Sequence, residues 1–168
     1  KDFNITILDL PGFGNSSEPP YGFTIYDYYE VLCEFLDKLK IKNPILIGHS
    51  NGGRMIINAV GRGIVSARKV VLIDSAGLIP KRSLSYHLKV AFYKTGKFIL
   101  NLLPNTKRIK AFKEKLRNSV GSSDYKASSN VLKETMKIIL NEDLSHLLPN
   151  IKVPTLIFWG TLDTATPI

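Results

Sequence analysis

Apolar positions along the chain fall into two patterns. Short, continuous aliphatic runs occur at residues 3–10, 45–47, 69–74 and 154–159, each followed by turn-forming residues. Runs of that length and β-branched content predict buried strands. Between the first two, Thr24 offers an N-cap with Asp27 three residues on, and Tyr28, Val31, Leu32, Phe35, Leu36 and Leu39 recur at helical spacing. Asn43-Pro44 breaks that helix. Residues 55–60 predict a second helix after the strand 45–47, ended by Gly61 and Gly63. Aliphatic strands alternating with helices predict an α/β domain, with a mostly parallel sheet and helices on both faces.

The pattern changes between the third and fourth runs. Residues 83–148 predict several amphipathic helices, punctuated at Gly96, Pro104-Asn105, Gly121-Ser122-Ser123 and Pro149. The expected organisation is a core over residues 1–79, a helical cap or lid insertion over 80–150, and a return to the core over 151–168. Such a cap would lie at the carboxyl ends of the strands, where open α/β sheets place their sites. Tyr86, Phe92, Tyr93, Phe98, Phe112 and Tyr125 give this segment an aromatic stripe, read first as cap core and second as the wall of an apolar pocket.

Charge follows the same division. The net charge of +9 invites a nucleic-acid reading, but residues 80–152 hold 15 Lys/Arg against 5 Asp/Glu, and the remainder holds 8 against 9. The lysines alternate with apolar residues and no Gly/aromatic nucleic-acid signature accompanies them, so a solvated helix face is expected and no nucleic-acid partner. At 168 residues, 44% hydrophobic and 22% charged, the chain is long enough for one packed core and too apolar for disorder. No apolar run reaches the roughly 18–20 residues that cross a bilayer. A lone Cys33 excludes an internal disulfide framework and fits a reducing, cytoplasmic setting. Both ends fall close to strands, so the expectation is a fold incomplete at each end.

The candidate chemistry begins at Gly48-His49-Ser50-Asn51-Gly52, a G-x-S-x-G pattern between a strand and a helix. A serine nucleophile needs a sharp turn that lifts its hydroxyl out of the sheet, and the pattern sits in that strand–turn–helix setting. Gly48 and Gly52 are expected to let strand and helix approach closely, with Gly53 adding room. The helix N-terminus would favour negative charge beside Ser50. With residues 9–16 (Asp-Leu-Pro-Gly-Phe-Gly-Asn-Ser) and 159–167 (Trp-Gly-Thr-Leu-Asp-Thr-Ala-Thr-Pro), this pattern resembles successive landmarks of the α/β-hydrolase superfamily.

The resemblance implies Ser50 as nucleophile, the Asn51 backbone N–H as one oxyanion-hole donor, and Asp163 as the triad acid that orients a histidine. Asp74 is the rival acid; its other reading is an anchor for the loop at Ser75-Ala76. Asp9 reads as an anchor for the loop 11–15. The family's base follows its acid, and no histidine of this chain stands there. His49 lies within the elbow and is expected to pack beneath the turn; His87 and His146 fall in the cap. The base is therefore expected outside residues 1–168, and these residues alone are expected to be inactive.

The implied activity is hydrolysis of a carboxylic ester or related acyl bond of a small, apolar substrate through an acyl-enzyme. C–C bond hydrolases, cofactor-free haloperoxidases, amidases and acyltransferases stay open within the serine branch, as does a non-catalytic small-molecule-binding protein on this fold. No paired His/Cys spacing points to a metal, and the triad chemistry needs no cofactor.

Overall fold

A computed structural model describes residues 3–79, 88, 90–96, 98, 106, 109, 128–163 and 166. In chain order its elements are helix α1 (Ile25–Lys38), strand β1 (Ile45–His49), helix α2 (Asn51–Gly61), strand β2 (Lys69–Ile73), helix α3 (Asn130–Leu140), a 3-10 turn (Ser145–Asn150) and strand β3 (Thr155–Phe158). The strands form a parallel sheet in the order β1-β2-β3. Ile45 pairs with Lys69 and His49 with Ile73, while Val70 pairs with Thr155 and Ile73 with Phe158. All three strands therefore end on the same edge of the sheet.

Local chemistry sets the helix ends. The Thr24 hydroxyl and backbone N–H meet the Asp27 carboxylate at 2.5 and 2.6 Å, and the Asp27 N–H returns to the Thr24 hydroxyl at 3.3 Å. This reciprocal capping box satisfies the orphan donors of α1. At the end of α2, the Gly63 N–H donates to Val60 O and the Ile64 N–H to Ala59 O (3.0 and 2.9 Å). Gly63 sits at φ 71°, the left-handed cap that glycine accepts without strain.

The core lies on one face of the sheet. Leu46, Val70 and Leu72 pack against Ile56, Ile57, Ala59 and Val60 of α2, with Leu144 and Leu147 completing the cluster and Leu32, Cys33 and Leu36 of α1 along its flank. A smaller cluster joins Ile25 and Tyr28 of α1 to Met55 of α2 and Ile139 of α3. On the opposite face Ile47 is 66% exposed.

Residues 3–10 do not form the expected first strand. Phe3, Ile5 and Ile7 stand 70–85% exposed, and none of the described residues from 3 to 10 pairs in the sheet. A strand exists only in a ladder, and propensity cannot supply a neighbour. The loop that follows is nevertheless ordered by Asp9, as expected: its carboxylate accepts the Asn15 N–H at 2.9 Å and its carbonyl accepts the Ser16 hydroxyl at 2.6 Å.

The chain divides into two compact units, Lys1–Ile79 with Ser129–Ile168, and Pro80–Ser128. Helix α3 and the 3-10 turn, which the sequence reading groups with the cap, lie in the first unit. Polar contacts hold them there. Arg54 is almost fully buried, and its Nη1 donates to Ile139 O and Glu142 O at 2.6 and 2.9 Å. The Thr135 hydroxyl accepts the Phe23 N–H, and the Leu144 N–H donates to Gly77 O. In the second unit, residues 88, 90–96 and 98 are helical where described. Phe92 and Phe98 are exposed and Tyr93 is half-buried, so the first two do not form the expected cap core. Tyr86, Phe112 and Tyr125 lie outside the described residues.

Two groups carry measurable consequences. Burial draws the Arg54 guanidinium below its ordinary value, opposed by Glu142 and Asp143; it stays charged at neutral pH. Arg54→Ala strands two carbonyls and is expected to lower unfolding free energy by about 2–4 kcal/mol in urea titration, with Arg54→Lys losing less. Burial, aided by Asp27, pushes the Tyr28 phenol up to about 12 from 10.0. Stability from this group is present below its unfolded value and is lost as pH rises from about 10 to about 12. Tyr28→Phe should flatten that alkaline decline while costing about 1 kcal/mol at neutral pH, through loss of the hydrogen bond to Pro11 O.

Candidate active site

Ser50 occupies the turn between β1 and α2 with φ 50° and ψ −113°. That backbone region costs a non-glycine residue about 1–3 kcal/mol and persists only where its surroundings fix it. Here they do. The Ser50 N–H donates to Ile73 O at 3.0 Å, and Ser50 O accepts the N–H groups of Ala76 and Arg54 at 3.0 and 3.3 Å. The end of β2, the turn that follows it and the first turn of α2 therefore hold this one residue. Its side chain makes no capping bond to α2, although serine at this position commonly does.

The close approach of strand and helix rests on two glycines, one of them different from expectation. A Cβ on Gly48 would lie 2.6 Å from Gly52 C and Gly53 N, which are backbone atoms that cannot move aside. A Cβ on Gly53 would strike the Ser75 side chain. At Gly52 a Cβ would meet nothing within 4 Å among the described residues. The backbone of Gly52 is what Gly48 packs against, so the steric demand falls on Gly48 and Gly53.

Asn51 is the first residue of α2, where a helix leaves its N–H without an intrahelical acceptor. That is the group the sequence reading offers as an oxyanion donor. The Asn51 side-chain amide is buried without a hydrogen-bond partner among the described residues, as are both polar atoms of Asn58 and the Arg54 Nε. These three residues share one face of α2 by their spacing, a polar stripe inside the fold that the sequence reading did not single out. Its signal was Arg54 and Asn58 at helical spacing from the motif, within an otherwise apolar helix.

Asp163 follows β3. The Thr166 N–H donates to its Oδ1 at 3.1 Å, the Thr166 hydroxyl lies 2.6 Å from its Oδ2, and the Asp163 N–H donates to Gly160 O. Asp74 follows β2 at φ 42°. Its carboxylate accepts the Gly160 N–H at 2.6 Å, and its carbonyl lies 3.1 Å from the Thr166 hydroxyl. Asp74 thus anchors the loop after β3 rather than the turn at Ser75-Ala76. Thr166 joins both carboxylate-bearing loops, a role the sequence reading did not assign.

His49 is exposed at the end of β1 and does not pack beneath the turn, because the alternation of the strand turns Leu46 and Gly48 inward and His49 outward. His146 lies on the 3-10 turn with Nδ1 3.1 Å from Asp143 O. His87 is outside the described residues. Ser50, Asp74 and Asp163 thus follow the carboxyl ends of β1, β2 and β3 in order across the sheet.

The family model described as the alpha/beta hydrolase fold matches residues 1–168. The chain belongs to the α/β-hydrolase fold family. Among relatives of this α/β hydrolase, a pimeloyl-[acyl-carrier protein] methyl ester esterase from Wigglesworthia glossinidia brevipalpis is 27% identical over 99% of this chain and 67% of that protein. A putative non-heme haloperoxidase from Mycobacterium phage D29 is 35% identical over 44% of this chain and 27% of its own length. Among solved structures, a hydrolase from Pseudomonas aeruginosa aligns with a TM-score of 0.61 at 22% identity, over 94% of this chain and 62% of that one. This α/β-hydrolase chain spans about two thirds, or less, of the length of these relatives.

The glycine geometry gives a sharp contrast. Gly48→Ala is expected to destabilise by about 3 kcal/mol, since backbone stands in the way of its Cβ. Gly52→Ala should stay within about 1 kcal/mol of the parent, helped by the helix preference of alanine. Thermal or urea unfolding of the two variants checks the difference; equal losses would place the close contact elsewhere.

Proposed function

We propose that the protein carrying this chain is a serine hydrolase, with Ser50 as nucleophile, acting on a carboxylic ester or related acyl bond. The single observation that carries the reading is the backbone of Ser50. A serine held at φ 50° between a parallel strand and a helix N-terminus bears a strain that a glycine at the same turn would avoid. The esterase relative supports the acyl chemistry.

In this scheme the Ser50 Oγ attacks the substrate carbonyl carbon while its proton passes to a histidine base. The Asn51 N–H, with the dipole of α2 behind it, donates to the oxyanion that forms. Collapse of the tetrahedral intermediate breaks the bond to the leaving alkoxide, which takes the proton from the histidine. Water then attacks the acyl–Ser50 ester by the same route in reverse, releasing the acid. Asp163 is assigned to orient the base and to stabilise its imidazolium; Thr166, by donating to the carboxylate, acts as a positioning residue.

The base is assigned to a histidine outside residues 1–168. His49 points away from the turn at the end of β1, and His146 is engaged with Asp143 O. Residues 1–168 alone are accordingly proposed to turn over activated esters slowly or not at all. A small, apolar acyl compound is the proposed substrate.

The test is labelling of the full-length protein with a fluorophosphonate. Wild type should label covalently and Ser50→Ala should not, while Asp163→Asn should slow ester turnover by about 10³–10⁴-fold. Labelling that survives in Ser50→Ala would overturn the assignment.

A further inference from the structure

The amino-terminal edge of the sheet, opposite the edge that carries Ser50, Asp74 and Asp163, is built from three loops. The Arg68 N–H donates to Pro44 O at 2.8 Å and the Val70 N–H to Pro154 O at 3.0 Å, so the segments that lead into β1, β2 and β3 lie side by side. Residues 39–44, 62–69 and 150–154 hold six Lys/Arg and no Asp or Glu. Arg62 is already engaged, 3.6 Å from Glu142 and over the Tyr26 ring. Lys40, Lys42, Arg68, Lys69 and Lys152 are exposed, and their side chains have no ion-pair or hydrogen-bond partner among the described residues. The dipole of α1 accounts for Lys40 at its end. Arg68, Lys69 and Lys152 lead into strands, which have no such dipole.

A recess of about 350 Å³ opens beside Lys42, lined with apolar side chains that include Ile41, Pro44 and Ile64. Asp37 also lines it, and the adjoining Lys38 offsets that charge. The loop that walls the recess is folded back onto α1, with the Ile41 N–H on Leu36 O at 2.9 Å. Lys40 and Asn43 take φ 54° and 47° to do so, backbone that is uncommon outside glycine. We propose that this edge binds an acidic protein segment, which sets its carboxylates against the five unpaired cations and one apolar side chain in the recess. Charge complementarity selects an anionic partner, and the recess narrows the class. A nucleic-acid duplex would balance the charge and leave the recess unfilled, and no aromatic side chain lines it to stack a base. A bilayer surface supplies no side chain of fixed shape to enter it. The length of a strand separates this surface from Ser50 by on the order of 15 Å, so it is distinct from the acyl site.

The experiment is fluorescence anisotropy of a labelled amphipathic peptide of about 15 residues, with Glu on one helical face and Leu on the other. It is titrated with the full-length protein at about 0.1 M salt. This peptide should bind about tenfold more tightly than one with Ser in place of Leu, and than one with Lys in place of Glu. Lys42→Glu and Arg68→Glu should each weaken its binding by about fivefold or more. Ile64→Ser should weaken the Leu peptide by about fivefold and leave the Ser peptide unchanged. Lys42 and Arg68 are exposed and Ile64 is 40% exposed, so the thermal unfolding of all three variants should stay close to that of the parent. Absence of binding, or binding that all three variants leave unchanged, would overturn the proposal. So would equal or tighter binding of duplex DNA or phosphatidylglycerol vesicles that Ile64→Ser does not alter, since that is the behaviour of a simple polycation.

Discussion

The fit of Gly48 against the backbone of Gly52 and Gly53 is the contact on which the described structure turns. It lets α2 start one residue after Ser50, with strand and helix close enough to share that single connecting residue. From this follow the strained backbone of Ser50, the place of the Asn51 N–H at the helix start, and the burial of α2 against Leu46, Val70 and Leu72. A single methyl group at residue 48 would push the two backbones apart. The remaining supports, from Ile73 O to the Ala76 N–H, hold the residue that this approach places there.

Around that turn, polar groups do what apolar packing cannot: they fix register between segments distant in sequence. Arg54, one turn into α2, reaches the carbonyls at the end of α3 and ties residues 130–142 to the helix that bears the elbow. A charge so deeply buried is tolerated because two carbonyls replace its lost water. Asp74 plays the matching part between strands, taking the Gly160 N–H so that the loop bearing Asp163 is held to the end of β2. The loops after all three strands are thus bound to one another, which is how a sheet edge comes to hold a site.

Legibility in the sequence tracked the range of the interaction. The capping box of Thr24 and Asp27 and the Asp9-anchored loop were read correctly because each partner lies within a few residues of the other. The strand at residues 3–10 was not, since its composition meets every local requirement and the missing ingredient is a neighbouring backbone. Gly52 was misread for a related reason: the motif marks two glycines, but only coordinates tell which one faces an atom. Asp74 was read as an anchor yet assigned to the wrong loop, because its partner Gly160 is 86 residues away. Arg54, Asn58 and Thr166 went unassigned because their partners are visible only once distant segments are packed.

What the sequence determined by itself is the family, the parallel α/β plan, the position of the serine turn and the segregation of positive charge into residues 80–152. These are written in short-range pattern: aliphatic runs of strand length, a five-residue motif between strand and helix, and simple counts of lysine and arginine. What only the tertiary structure decided is which glycine is sterically required, which loop Asp74 holds, that α3 belongs with the core unit, and that His49 faces outward. Each of these depends on the direction of a side chain or on a pairing across tens of residues, and the chain acquires those only when its segments meet.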